Sequence, residues 1–128
     1  MNDSTFAICQ RNSLDTPIGS IGILFNNQSR NHSFMGNNDA EIGYWLGVPF
    51  LGKGIIPEAL SRIVTYCFEE CDVENSWCGY FEGNSQSLRV QNKLNFEYVI
   101  SEPSKIYSIF RRIQRNTFFS NFEKKLEK

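Results

Sequence analysis

The stretch Trp45-Leu-Gly-Val-Pro-Phe-Leu-Gly-Lys-Gly-Ile-Ile-Pro-Glu-Ala59 leaves this chain few ways to fold. It reads as the end of a strand, a glycine loop and the start of a helix. Ile42, Tyr44, Trp45 and Leu46 run apolar and aromatic into Gly47. Gly52 and Gly54 bracket Lys53, and Pro57 stands where the first residue of a helix is expected. Glycines let successive backbone N–H groups curl into one concavity. A helix directly behind adds N–H groups without intrahelical acceptors and the positive end of the macrodipole. Such a corner is either a plain turn or an anion site, with phosphate the usual occupant.

The loop departs from the two commonest nucleotide signatures. A third glycine at the Rossmann spacing is absent, and so is the Gly-Lys-Ser/Thr that supplies a magnesium-binding hydroxyl. A phosphate ligand without metal chemistry fits better, and coenzyme A with its pyrophosphate is one.

The chain has 128 residues, enough for one domain with a single core. Thirteen basic against fourteen acidic side chains leave a net charge of −1, which argues against a mainly electrostatic nucleic-acid binder. No apolar run reaches membrane-spanning length, and the N-terminus lacks a basic-then-apolar leader pattern; the expected location is cytoplasmic. The four cysteines, Cys9, Cys67, Cys71 and Cys78, do not follow a zinc pattern, and the only histidine is His32. Buried free thiols are expected, with no metal.

Thr5 to Arg11 and Ile18 to Phe25 read as strands joined at Asp15-Thr-Pro17. Asn26 to Asp39 is a polar loop, long for a hairpin connection and therefore the expected mobile segment. Ala40 to Val48 is a strand with apolar residues at both parities, expected to be covered on both faces. Pro57 to about Cys71 is a helix whose Ala59, Leu60, Ile63, Val64, Cys67, Phe68 and Cys71 form one apolar stripe. Ser76 to Glu82 is the next strand. Asn84 caps a second helix whose short apolar face is Val90 and Leu94, with Asn95 in a left-handed terminus and Phe96 folded back. Glu97 to Ile100 and Lys105 to Arg111 are short strands around a Ser-Glu-Pro-Ser turn. The order implies an α/β (α+β) sandwich with a mixed sheet. In the tail, Phe118, Phe119, Phe122 and Leu126 share one side of a short amphipathic helix. The organisation expected is a domain over 1–113 and a tail over 114–128.

Three segments carry a resemblance: Ala40-Glu-Ile-Gly-Tyr-Trp-Leu-Gly, Gly52-Lys-Gly-Ile-Ile-Pro-Glu-Ala, and Gly83-Asn-Ser-Gln-Ser-Leu-Arg-Val-Gln-Asn-Lys-Leu-Asn-Phe96. In this order and spacing the chain resembles the GNAT N-acetyltransferases, and among them the Rim-type subgroup that modifies ribosomal proteins. The likeness covers roughly residues 5 to 110. It implies the GNAT fold, a mixed and mostly antiparallel sheet flanked by helices, with acetyl-CoA as co-substrate and an amine as acceptor.

The resemblance also implies roles. The pantetheine arm would pair with Trp45, Leu46, Gly47 and Val48, on a strand that splays from its neighbour. The pyrophosphate would lie on the N–H groups of Gly52, Lys53, Gly54, Ile55 and Ile56. Leu51 and Ile56 depart from the family's usual residues, and Ile56 is expected to crowd the phosphates. Asn84 matches an asparagine near the thioester, and its other reading is the helix cap. Ser87 matches a serine proposed to protonate the departing thiolate, and its other reading is a surface hydroxyl. Glu41 matches a carboxylate suited to take the proton from an ammonium acceptor, since an amine is mostly protonated near neutral pH; its other reading is a solvated strand-edge glutamate. Gln91 replaces a tyrosine that serves many members as general acid. Tyr44 and Tyr80 are read as packing residues.

Members usually begin with a strand and two helices ahead of the strand that starts here near Thr5, so the chain resembles an N-terminally short member. Two functions follow: direct acetyl transfer to a primary amine, or an impaired remnant that folds, dimerises and at most binds CoA. The helices from Pro57 and from Asn84 would cover parts of different faces, the family's first two helices that would cover more are absent, and the strand at Thr5 is an open pairing edge; a homodimer in which the Phe118, Phe119, Phe122 and Leu126 stripe crosses to the partner is therefore expected. Light scattering should report that dimer; a clean monomer unchanged by deleting Thr117 to Lys128 would overturn it.

Overall fold

The computed structural model describes residues 3–26 and 32–111. The tail over 114–128 lies outside them, as does the aromatic stripe on which the dimer expectation partly rests.

Six strands form one sheet. They are β1 (Ser4–Cys9), β2 (Pro17–Phe25), β3 (Ala40–Leu46), β4 (Asn75–Phe81), β5 (Glu97–Glu102) and β6 (Lys105–Arg111). Their order is β1-β2-β3-β4-β6-β5, so β1 lies at one edge and β5 at the other. Every neighbouring pair is antiparallel except β3 and β4. That parallel pair needs a crossover, which is supplied by helix α1 (Ile55–Glu70). A second helix, α2 (Ser85–Lys93), joins β4 to β5.

Helix α1 starts two residues before Pro57. Gly54 takes φ +77° and serves as the N-cap, a left-handed conformation that suits glycine. Pro57 is then the third helical residue, still within the turn whose N–H groups have no intrahelical acceptor. Leu60, Val64, Cys67 and Phe68 bury the expected stripe, while Ala59 and Ile63 lie at its margin. Helix α2 is capped as expected. The Asn84 Oδ1 accepts from the Ser87 N–H at 3.1 Å, Asn95 has φ +65°, and the Phe96 N–H returns to the Gln91 carbonyl at 2.9 Å.

Both helices lie on the same face of the sheet. Leu60 and Val64 of α1 share one core cluster with Val90 and Leu94 at α2, and with Ile42, Cys78 and Phe110 of the strands. This corrects the expectation that the helices would cover different faces. The alternation of strand side chains puts Trp77, Tyr107 and Ile109 on the opposite face, where Phe34 and Met35 of the β2–β3 loop cover them.

Two buried polar side chains hold the described part of that loop. The Asp39 carboxylate accepts from Trp77 Nε1 at 2.8 Å, Asn75 Nδ2 at 3.0 Å and the Gly36 N–H at 2.9 Å. The Asn26 amide donates to the Met35 and Gly36 carbonyls and accepts from the His32 N–H at 3.0 Å. Residues 32–39 are thus pinned to β4 rather than loose, which corrects that reading for the described half of the segment. Cys67, Cys71 and Cys78 are buried free thiols, and Cys9 is partly exposed.

Candidate active site

The site begins with a break in the sheet. β2 follows β3 over seven register pairs, and β6 follows β4 over seven. Between them, β3 and β4 pair only through Ala40–Ser76, Glu41–Trp77 and Ile42–Cys78. Beyond Ile42 the two strands part. Among the described residues the inner edge of β3 from Gly43 to Leu46 therefore has no strand on that side, although its backbone groups still require partners.

On the helix face the gap opens into a cleft of about 350 Å³. One wall is Tyr44, Trp45 and Leu46 at the end of β3; the floor is Gly52, Gly54, Ile55 and Ile56; the far wall is Asn84 and Ser87 on α2. The N-cap, Gly54, has no side chain with which to cap α1, whose first turn borders this cleft. Added Cβ atoms at Gly52 and Gly54 would meet no protein atom, and both glycines have φ +77°. Open space thus lies in front of the first turn of α1.

Most residues expected around a cofactor do line this cleft, but Gly47, Val48 and Lys53 do not. β3 stops at Leu46: the Gly47 N–H makes one last bond to β2, to the Ile18 carbonyl at 2.8 Å, and Val48 then enters a single 3-10 turn. Lys53 is exposed. Ile56 does not crowd that space: its side chain is buried in the core, leaving its N–H on the cleft side.

Tyr44, which the sequence marks only as a packing residue, places its hydroxyl at the head of the cleft. It accepts from Gln91 Nε2 at 3.4 Å, and Ser87 lines the same cleft. The buried Gln91 in turn accepts from the Ser108 hydroxyl. Ser87 is therefore half-buried beside Tyr44 and not a plain surface hydroxyl. Arg89 and Lys93 also line the cleft, one helical turn apart on α2. A sequence reading had a signal for them in their spacing after Asn84, but nothing to say which side they would face.

Glu41 lies on the other face. It is only 7% exposed, which overturns the solvated-edge reading. Its carboxylate meets Lys105 Nζ at 3.1 Å and His32 Nε2 at 3.3 Å. Ser87 and Glu41 thus stand on opposite sides of the sheet. Among the described residues no group of three or more His, Cys, Asp and Glu side chains could hold a metal.

Comparison with known proteins gives the family. Residues 1–97 match the acetyltransferase (GNAT) domain family. The Bacillus subtilis (strain 168) protein named "Putative ribosomal N-acetyltransferase YdaF" is 40% identical over 60 residues, 47% of this chain and 33% of that one. Mycobacterium smegmatis RimJ, solved with CoA-disulfide, superposes with a TM-score of 0.67 at 16% identity, covering 83% of this chain and 53% of RimJ. The aminoglycoside acetyltransferase AAC(6')-Ib, solved with coenzyme A, gives a TM-score of 0.73 at 16% identity over 88% of this chain and 68% of its own. The chain thus spans about a third of the curated relative it matches and about half of RimJ.

Burial pushes the Tyr44 phenol up to about 12. The folded state then holds this proton more tightly than an unfolded tyrosine near about 10. The resulting stability is complete below about pH 10 and is lost as the pH rises to about 12. The difference between tyrosinate absorbance titrations of wild type and Tyr44→Phe should be one step near about 12; a step near the ordinary tyrosine value would overturn the buried placement. On the strength of its matched residues, the chain belongs to the GNAT acetyltransferase family.

Proposed function

We propose that the protein is an N-acetyltransferase that moves acetyl from acetyl-CoA to a primary amine by direct attack, without an acyl-enzyme. The observation that carries this reading is the parting of β3 from β4 above an uncapped helix N-terminus. Acetyl-CoA, when bound, supplies an activated thioester. The free edge of β3 offers N–H and C=O groups to an extended arm, as a strand would. The N–H groups of residues 52 to 56, Pro57 having none, offer donors for a pyrophosphate. On the opposite face, Glu41 is the base that takes a proton from the incoming ammonium. Asn84, Ser87 and Tyr44 place polar groups at the cleft, where the hydroxyls of Ser87 and Tyr44 can donate to a departing sulfur. Support for the co-substrate also comes from relatives solved with coenzyme A or a CoA disulfide. The names of relatives include a ribosomal N-acetyltransferase and an aminoglycoside acetyltransferase, so the acceptor is carried here as a primary amine.

A second reading, a chain that binds CoA without turnover, draws on Glu41 already being paired with two basic side chains. Calorimetry with acetyl-CoA followed by thiol release over an amine panel separates the two: binding with turnover supports the first, binding alone the second.

Two variants refine the test. Gly54→Val places a branched side chain at φ +77° and in the open space before α1. Backbone strain should cost ~1–2 kcal/mol of stability. Loss of one hydrogen bond to a charged ligand, ~1.5–3 kcal/mol, should weaken acetyl-CoA binding by about ten- to a hundredfold. Unchanged affinity would sink the anion site. Glu41→Gln should lower turnover by ~10²-fold or more with little change in acetyl-CoA affinity; equal turnover would remove Glu41 from the reaction.

A further inference from the structure

Lys105 holds an unusual position. It opens β6, opposite Phe81 of β4, yet its ammonium reaches across β4 to Glu41 on β3. Gly79 makes that path possible. A Cβ at residue 79 would come within 2.5 Å of Lys105 Cε and 3.1 Å of Tyr107 Cε1. Real Cβ atoms do not approach that closely, so any other residue would push the lysine off its course. The aliphatic stem therefore lies flat over Gly79, and the ammonium sits 5.1 Å from the centre of the Tyr107 ring. Gly79 is the first β4 residue past the last register pair with β3, Ile42–Cys78. Its counterpart on β3, Gly43, also leaves open space where a Cβ would be. An amine is thus held on the buried carboxylate at the mouth of the gap.

We propose that Lys105 is a self-acetylation site, its amine held over Gly79 on Glu41 in the pose an acceptor takes. The inference rests on the acetyltransferase reading above. Glu41 takes one proton from the Lys105 ammonium. The freed nitrogen lone pair forms a C–N bond to the acetyl carbonyl of bound acetyl-CoA. The C–S bond breaks, the sulfur leaves with the electron pair, and the second nitrogen proton neutralises it as the thiol. The products are Nε-acetyl-lysine and CoA, with a net proton released through Glu41. An amine already in place reacts without the entropy loss of capturing an acceptor. Because pairing with Glu41 holds the Lys105 pKa above its ordinary value against the opposing pull of burial, the reaction should speed up as the pH rises. Acetylation would also remove the charge that ties Lys105 to Glu41, leaving the carboxylate with His32 as its remaining basic neighbour.

The test is to incubate the purified full chain with acetyl-CoA and no added acceptor, and to follow acetyl occupancy of each lysine by peptide mass spectrometry. Lys105 should gain acetyl at least ~10-fold faster than Lys53, Lys93, Lys124, Lys125 or Lys128, at a rate unchanged by diluting the protein. Glu41→Gln should slow it, and Lys105→Arg should carry no acetyl at 105 while still binding acetyl-CoA in calorimetry. Equal labelling of all lysines, a rate that falls on dilution, or no label at Lys105 overturns the proposal. If an added amine is acetylated while Lys105 is not, only this proposal fails. If acetyl-CoA does not bind at all, the acetyltransferase reading fails with it.

Discussion

The fold depends on an unfinished sheet. Each half, β1-β2-β3 and β4-β6-β5, is fully paired within itself, whereas the seam between them closes over only three residue pairs. A sheet gains from every ladder it completes, because backbone N–H and C=O groups away from water need partners. A seam left open at one end therefore sets a demand for an extended ligand.

Among the described residues, a polar tie crosses the open seam on each face. On the helix side Gln91 links the Tyr44 hydroxyl of β3 to the Ser108 hydroxyl of β6. On the other side Lys105 of β6 reaches Glu41 of β3. Neither tie replaces the missing ladder, since each is a side-chain contact with room beneath it. They instead hold the half-sheets at a set separation. Gln91 is 1% exposed and Glu41 7%, so both ties work in surroundings where an unpaired polar group is costly. The residue types suit these spans. An amide can donate to one hydroxyl and accept from another, and a lysine stem can cross a strand where glycine leaves the space.

The open face differs from the helix face. Its apolar cluster is smaller, and the described loop residues Phe34 and Met35 are its cover. Trp45 at 64% exposure and Phe81 at 68% flank the gap there. Asp39, pinned by Trp77 and Asn75, holds the loop at Gly36, Asn26 holds it at His32, and the His32 and Phe34 rings lie against Tyr107 beside Glu41. The anchoring of a loop and the placing of the buried Glu41 carboxylate are thus one piece of packing.

Much of this was legible in the residues alone, for local reasons. The glycines before an apolar helical stripe announced the left-handed turn into α1, Asn84 announced its helix, and Asn95 its end, since each acts through neighbours a few positions away. Strand positions were recovered because alternation is a property of consecutive residues. What only the tertiary structure decided is which residues meet across the seam. Glu41 and Lys105 are 64 positions apart, and Tyr44 and Gln91 are 47. No local pattern marks such pairs. Which face each helix covers was equally silent, because an apolar stripe states that a helix is buried without stating against what. The chain therefore declared its parts and its family pattern, while the gap, the two ties across it and the buried state of Glu41 arose from long-range packing.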